Sequence, residues 1–365
     1  MNEKEWVSPS QIAMLLLAFT LGSSIVFIPG PVIAAAGNGA WLSVIISGAA
    51  GIPGLLSILY LHHIYPSKSS FQYLGDVFGK WMGTLFSLLI LFVLILMISN
   101  ITVGVGSFFS STMMLETPTY VFNFLILMVC ALTALAGIEV TARLFVLFLM
   151  MMLATIFVIL FLDLGKYHPD NLLPQLAEGI SPIMHGAIIN HGFPYSEMFV
   201  FSALLFFIRP AKNESTGKFM FFAYFANMII FLGVVLCASM IFGKAAGTRN
   251  FTLYEMARVI EITGVFERIE MIAGITLIAG SYIKSTIALL ALSSGFAHIF
   301  KLKDSRTVIL PVSLLMFFIS MSMFSTEMES NTFWTLIWPA ITTCATIPIV
   351  LAAVVTLIKN AFKGS

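Results

Sequence analysis

The chain has 365 residues, 59% of them hydrophobic and only 10% charged, with a mean hydropathy of +1.01 and a formal charge of +1. A soluble domain carries about a quarter of its residues as Asp, Glu, Lys and Arg, so this composition excludes a water-soluble globular fold. No basic stripe or aromatic-basic interleaving is present, which excludes a nucleic-acid partner and leaves a polytopic protein whose solvent is the lipid bilayer.

The N-terminus, MNEKEWVSPSQ, lacks the basic region and small-residue cleavage site of a signal peptide, so the first apolar segment is expected to stay in the mature protein. A membrane-spanning helix needs about 20 apolar residues. Ten stretches reach that length: 10–35, 38–62, 81–109, 119–137, 141–163, 182–208, 218–242, 269–297, 308–325 and 333–358. They are too long and too uniformly apolar for the short alternating strands of a β-barrel. The fourth and fifth are separated only by GIEVT, where Glu139 and Arg143 form an i,i+4 pair of local character. The ninth begins near Pro311, a position compatible with a helix start.

The Lys and Arg residues of the connections set the orientation. With the N-terminus inside, twelve fall on the inner side: Lys4, Lys68, Lys80, Arg143, Arg209, Lys212, Lys218, Lys301, Lys303, Arg306, Lys359 and Lys363. Five fall outside, namely Lys166, Lys244, Arg249, Arg258 and Arg268, and Lys284 lies within the eighth segment. Ten helices with both termini cytoplasmic follow. The long outer connection, 243–268, carries Leu253, Met256, Ala257, Ile260, Gly264 and Val265 on one face of a short amphipathic helix. That helix either caps the outer face of the bundle or lies at the membrane interface, the alternative being a plain surface loop with some helix.

Two segments are interrupted. The first holds Gly22, Ser23 and Ser24 near its middle and Pro29-Gly30-Pro31 within two turns; the sixth holds Gly192, Phe193 and Pro194, then Tyr195, Ser196 and Glu197. Glycine lowers the cost of leaving helical geometry and proline removes a donor. Irregular backbone at membrane depth is tolerable only where it faces protein, water or a ligand. Segments one and six are equivalent if ten helices form two five-helix halves, 10–163 and 182–358, of opposite topology. Breaks at matching positions of two halves mark a midplane binding site, where free N–H groups favour a carboxylate and free carbonyls an ammonium. A small zwitterion fits such a gap. The competing reading is a pair of ordinary Gly/Pro kinks.

Glu197 and Lys284 are ionisable residues at membrane depth, where charges face the bundle interior and mark function. Lys284 can present a fixed positive charge near the first segment, or snorkel to an interface. Glu197 can orient a ligand or brace the broken helix. Asn100, Thr102, Tyr282 and Ser285 are secondary pocket-lining candidates, with Asn190 and His191 just above or below the break. Cys130, Cys237 and Cys344 all sit in apolar stretches without paired spacing and read as small hydrophobes. No nucleotide loop, metal motif, covalent-cofactor signature or nucleophile elbow appears, so neither enzyme activity nor a cofactor nor a metal is expected.

Three stretches, VSPSQIAMLLLAFTLGSSIVFIPG, HGFPYSEMFVFSALLFFIRP and GVFERIEMIAG, resemble the B subunit of nutrient germinant receptors of spore-forming Bacillus-type bacteria. The resemblance extends over essentially the whole chain. That family is similar to the amino acid–polyamine–organocation transporters, which implies a LeuT-like five-plus-five inverted repeat with helices one and six unwound. Gly22 to Ser24 and Gly192 to Tyr195 match the unwound stretches, and 243–268 matches the outer loop between helices seven and eight. Lys284 departs from sodium-coupled relatives, which carry small hydroxyl residues there. The resemblance implies a sensor of amino acids, less readily sugars, in the spore inner membrane. It would act with an A subunit bearing a large soluble part and a C lipoprotein to release ions and dipicolinate. The alternative function is secondary active amino acid transport through the same pocket.

Overall fold

Ser8 and Gln11 start the first helix by a reciprocal cap: Ser8 N–H donates to the Gln11 side chain at 2.9 Å and Gln11 N–H to Ser8 Oγ at 3.1 Å. Pro9 follows at the first helical position, where its missing N–H costs nothing. The computed structural model describes residues 5–174, 179–209, 215–260 and 270–363. Of the expected features, Gly264, Val265, Arg268, Lys4 and Lys212 lie outside these residues.

The first span is α1 (Pro9–Leu21), α2 (Ser24–Phe27) and α3 (Pro29–Ala36). α4 (Ala40–Ile64) is the second span, α5 (Ser70–Phe78) a short helix beside it, and α6 (Lys80–Phe108), α7 (Thr119–Ala136) and α8 (Ile138–Leu162) are the third to fifth. The sixth comprises α9 (Ser181–Asn190) and α10 (Phe199–Ser202). After α11 (Thr216–Phe242), α12 (Thr252–Val259) leads to α13 (Glu270–Ile299) and α14 (Ile309–Ser322), and α15 (Glu327–Thr332) runs into α16 (Trp338–Lys363).

Among the described residues nine helical stretches are long and apolar enough to cross a membrane. The expected segment missing from those nine is 182–208, and the reason is physical. It leaves α-helical geometry at His191–Tyr195 and again after Ser202, so no unbroken piece of it reaches a bilayer's thickness.

The packing repeats under a shift of five spans. α1 lies on α11 as the sixth span lies on α4; α7 lies on α13 as α14 lies on α6. α1 lies on α8 as the sixth break lies on α16, while α6 against α13 and α7 against α14 map onto themselves. This is an all-α polytopic membrane fold with a five-plus-five inverted repeat, its two broken spans at the middle. Outward-facing Leu85, Phe92, Leu132, Leu147, Phe222 and Phe318 are exposed, as the lipid solvent requires. Cys130 is buried, whereas Cys344 lies exposed on the lipid-facing side of α16, so its apolar surroundings are lipid and not core.

α5 is a feature the hydropathy pattern does not mark, because it is amphipathic and short. Its signal is the Ser69–Gln72 capping box followed by Phe71, Leu74 and Val77 on the buried face. α12 buries Leu253, Met256 and Ala257 against the bundle, and the Phe251 ring stands between Phe27 and Phe108 at 5.5 and 5.0 Å. α12 therefore covers the bundle instead of lying free as a loop. At the opposite face Val7 pairs with the end of the sixth span, its N–H donating to Phe207 O at 3.0 Å and its carbonyl accepting from Arg209 N–H at 2.9 Å. Glu5 there joins Arg306 and accepts from Ile138 N–H at 2.8 Å, at the start of α8. That face is shut.

Candidate functional site

α1 ends at Gly22, whose backbone leaves the helical region at φ 16° and ψ −129°. Ser24 Oγ turns back to the Leu21 carbonyl at 2.7 Å and to the Thr20 carbonyl, satisfying acceptors the break frees. α2 restarts the span with Val26 and Phe27 donating to Ser23 O at 3.2 Å. Gly280 of α13 packs directly against the Gly22 backbone, and a Cβ on either residue would run into main-chain atoms of the other. Glycine is needed at this crossing because the two backbones are in contact.

In the sixth span Phe193 is extended, at φ −151° and ψ 100°, inside a turn formed by His191–Tyr195. The α16 helix closes on this turn. The Ser196 and Thr342 hydroxyls converge on the Gly192 carbonyl at 3.0 and 3.1 Å, and Thr346 Oγ1 donates to Ser196 O at 2.8 Å. Gly192 is pressed against Pro339, leaving no space for a side chain. The carbonyls freed by the sixth break are thus met by hydroxyls of the tenth span, and what this break presents to the bundle centre is side chains.

Those side chains are Phe193 and Glu197. Glu197 is completely buried; its Oε1 accepts from Trp338 Nε1 at 2.8 Å and its Oε2 forms an ion pair with Lys284 Nζ, also completely buried. The Lys284 ammonium lies 3.4 Å from the centroid of the Phe193 ring and 5.2 Å from that of Phe19. Lys284 thereby touches the first, sixth and eighth spans at once. Its reach is inward, and snorkelling does not describe it. A buried ammonium held between two ring faces and a carboxylate is stabilised by cation–π attraction and Coulomb energy, which offset its desolvation.

Above the pair lies an aromatic layer: Phe193 against Trp334 at 5.1 Å, and Phe27 against Trp334 at 6.3 Å. Phe27 and Trp334 also line a cavity of about 710 Å³ on the α12 side, together with Gly104, His185, Ile189 and Asn331. The order from that face inward is cavity, aromatic layer, ion pair.

The sequence candidates divide between two places. Phe193, Glu197 and Lys284 meet at the centre, and Gly22 lies on Gly280 one turn before Lys284; Ser23, Ser24 and Ser285 adjoin these residues along the chain. Asn100 lies one turn from Gly104, which abuts the Phe27 ring, so it shares that face of α6. Both of its amide atoms, and the Ser23, Ser281 and Ser285 hydroxyls, are buried without a protein partner. Thr102 is also buried but spends its hydroxyl on Ile98 O at 2.7 Å. His191, Tyr195 and Ser196 face the other way and line a crevice of about 300 Å³ between α4 and α16. Asn190 donates to Ser47 of α4 at 2.6 Å. Pro194 lies within the turn itself. Tyr282 points to α7 and α8, its hydroxyl at Thr133 and its ring 5.0 Å from Phe145, away from the breaks.

Sequence reasoning missed Trp334, Trp338, Thr342 and Thr346. Their signal is a four-residue spacing within an apolar run, which places all four on one face of the tenth span.

The structure thus defines a polytopic all-α membrane bundle whose two interrupted spans meet at its centre. Two solved transporters share the fold. A substrate-bound, outward-open Na+-coupled sialic acid symporter superposes with a TM-score of 0.69 at 14% identity, over 95% of this chain and 82% of that one. A nucleobase-cation-symport-1 family transporter, closed with bromovinylhydantoin bound, gives 0.67 at 14% identity, over 91% and 75%. Within the class, the model of the spore germination protein family matches residues 6–329, and the chain belongs to that family. Spore germination protein KB of Bacillus subtilis (strain 168) is 27% identical over 317 residues, 86% of this chain and 83% of its own length. Spore germination protein YndE of the same organism is 26% identical over 308 residues, 81% of this chain and 82% of its own.

Proposed function

We propose that the protein is the ligand-sensing membrane subunit of a nutrient germinant receptor, binding a small nutrient between the unwound stretches of its first and sixth spans. The carrying observation is the meeting of the two broken spans at the buried Lys284–Glu197 pair, beneath a cavity on the α12 side. The Lys and Arg distribution favours that face as the outside and both termini as cytoplasmic; the spore inner membrane is what the family resemblance implies. An amino acid suits a centre with one fixed positive and one fixed negative charge better than a sugar does. Partner subunits of A and C type, as the family resemblance implies, carry the signal onward.

The ligand acts by binding one state more tightly than the other. Closure of α3, α9, α12 and the upper part of the tenth span around it favours the signalling state. The resident ammonium of Lys284 makes a coupled sodium ion unnecessary in this scheme.

The shared fold with the two symporters favours a second reading, secondary transport of the same ligand by alternating access. One experiment addresses the first reading: spores carrying substitutions along 20–26 and 190–200 are exposed to a panel of amino acids and sugars. A changed identity or concentration of the triggering compound is expected; unchanged responses at normal protein levels would refute the site. Saturable uptake by the chain alone in liposomes would favour transport over sensing.

A further inference from the structure

We infer that the Lys284–Glu197 pair is an internal stand-in for the two charges of the ligand, so that the site takes amino acids with both the α-ammonium and the α-carboxylate free. The inference deepens the ligand-site reading of the paired breaks and rests on it.

Each member of the pair is completely buried, and each has limited company. Among the described residues, Glu197 is the ion-pair partner of Lys284, whose other near neighbours are the faces of Phe193 and Phe19. Glu197 has Trp338 Nε1 and Lys284. The pair ties the sixth span, just after its break at Glu197, to Lys284 mid-way along α13, in addition to the packing of α10 on α13. Ser23 adjoins Gly22 at the first break, Ser281 lies one turn before Lys284 and Ser285 next to it on α13, and Asn100 shares the Gly104 face of α6; among the described residues their hydroxyls and amide are buried without protein partners. Unpaired buried polar groups cost free energy, and a small polar ligand would relieve them.

Charge conservation at a dry site then selects the ligand. A neutral sugar leaves the pair intact and gains no hold on either element. An amine or a carboxylic acid alone could capture one partner, but would strand the other as an unpaired buried charge, which is strongly unfavourable. A zwitterion supplies both charges. Its carboxylate takes Lys284, its ammonium takes Glu197, and its α-carbon and carboxyl carbon come between them. Every charge keeps a counter-charge while the direct Lys284–Glu197 tie between the sixth and eighth spans is released. The way in is short, because Phe193 stands between Trp334 at the cavity floor and the Lys284 ammonium. Displacing the Phe193 and Trp334 rings would open the ammonium to the cavity.

The test uses the full-length chain purified in detergent. Thermal stabilisation is screened with the twenty common L-amino acids and glucose, and the tightest-binding amino acid is then compared with its carboxamide and its N-acetyl derivative. Both derivatives are expected to bind at least about tenfold more weakly, since each lacks one charge-assisted contact. The double variant Lys284→Met/Glu197→Gln, which removes both charges and so strands neither, is expected to fold and to lose amino acid binding to the same degree. A diazirine analogue of the same amino acid reports where the ligand sits. Derivatives that bind as well as the parent, an unaffected double variant, or stabilisation by glucose alone would overturn the charge-exchange inference. Photolabel recovered away from residues 19–27, 190–200 and 280–286 would overturn the site reading itself, and no binding by any of the compounds would overturn both.

Discussion

Gly22 and Gly280 lie backbone to backbone where the first break crosses α13, with no room for a methyl group between them. Neither main chain can give way as a flexible side chain would. Gly280→Ala is expected to lower stability by about 1–3 kcal/mol through overpacking and to displace the first break. In detergent this is read as a lowered Tm, and in spores as a right-shifted germinant dose response at equal membrane abundance. An unaltered Tm would mean that the crossing is looser than described.

The buried pair makes a separate prediction about stability. Lys284→Met or Glu197→Gln alone leaves one charge without its counter-ion and is expected to cost about 3–5 kcal/mol, while the double variant returns close to the parent. A thermal-melt cycle over the four proteins checks this. Additive losses in the double variant would argue that the two side chains do not act as a pair.

Thr342 serves the sixth break from the tenth span, 3.1 Å from Gly192 O and 2.7 Å from Ser196 Oγ. Thr342→Val keeps the shape and removes the hydroxyl, and the expected loss is about 0.5–1.5 kcal/mol for the lost hydrogen bonds, since Ser196 Oγ still donates to Gly192 O. Thr342→Ser should restore most of it. Failure of serine to rescue the Tm would point to packing and away from hydrogen bonding.

Tyr282 serves as the control. Its hydroxyl meets Thr133 and its ring packs on Phe145 and Phe148, so Tyr282→Phe touches α7 and α8 but not the breaks. Spores with this variant are expected to keep the parental germinant preference and dose response. A change in ligand preference would show that the binding region extends to the α7–α8 side.

Orientation can be read with single cysteines in a background lacking Cys130, Cys237 and Cys344. Thr248→Cys, exposed beside α12, should react with an impermeant maleimide in right-side-out vesicles, whereas Lys303→Cys, exposed between α13 and α14, should react only in inverted ones. The reverse pattern would invert the topology.

How much of this was legible in the sequence follows from what lipid does to a pattern. A spanning helix is apolar on its lipid face and largely apolar on its packed face, so the sequence announces that a span exists without saying which side looks inward. Composition therefore determined the class, and the clusters at Gly22–Ser24 and Gly192–Pro194 located the breaks, because glycine and proline act on the local backbone wherever they stand. Direction was another matter. Phe193 and Glu197 turn to the centre while His191 and Tyr195 turn to the α4–α16 crevice, since the break itself resets the helical phase. Lys284, the counter-ion of Glu197, and Trp338, its hydrogen-bond donor, come from the eighth and tenth spans, distant in sequence. The residues that answer the break are brought to it by packing against helices whose own patterns carry no address. The sequence by itself determined a lipid-soluble bundle with two interrupted spans. Only the tertiary structure decided that the interruptions meet at a Lys–Glu pair sealed by aromatic rings, because pairing of buried charges is set by which helices touch.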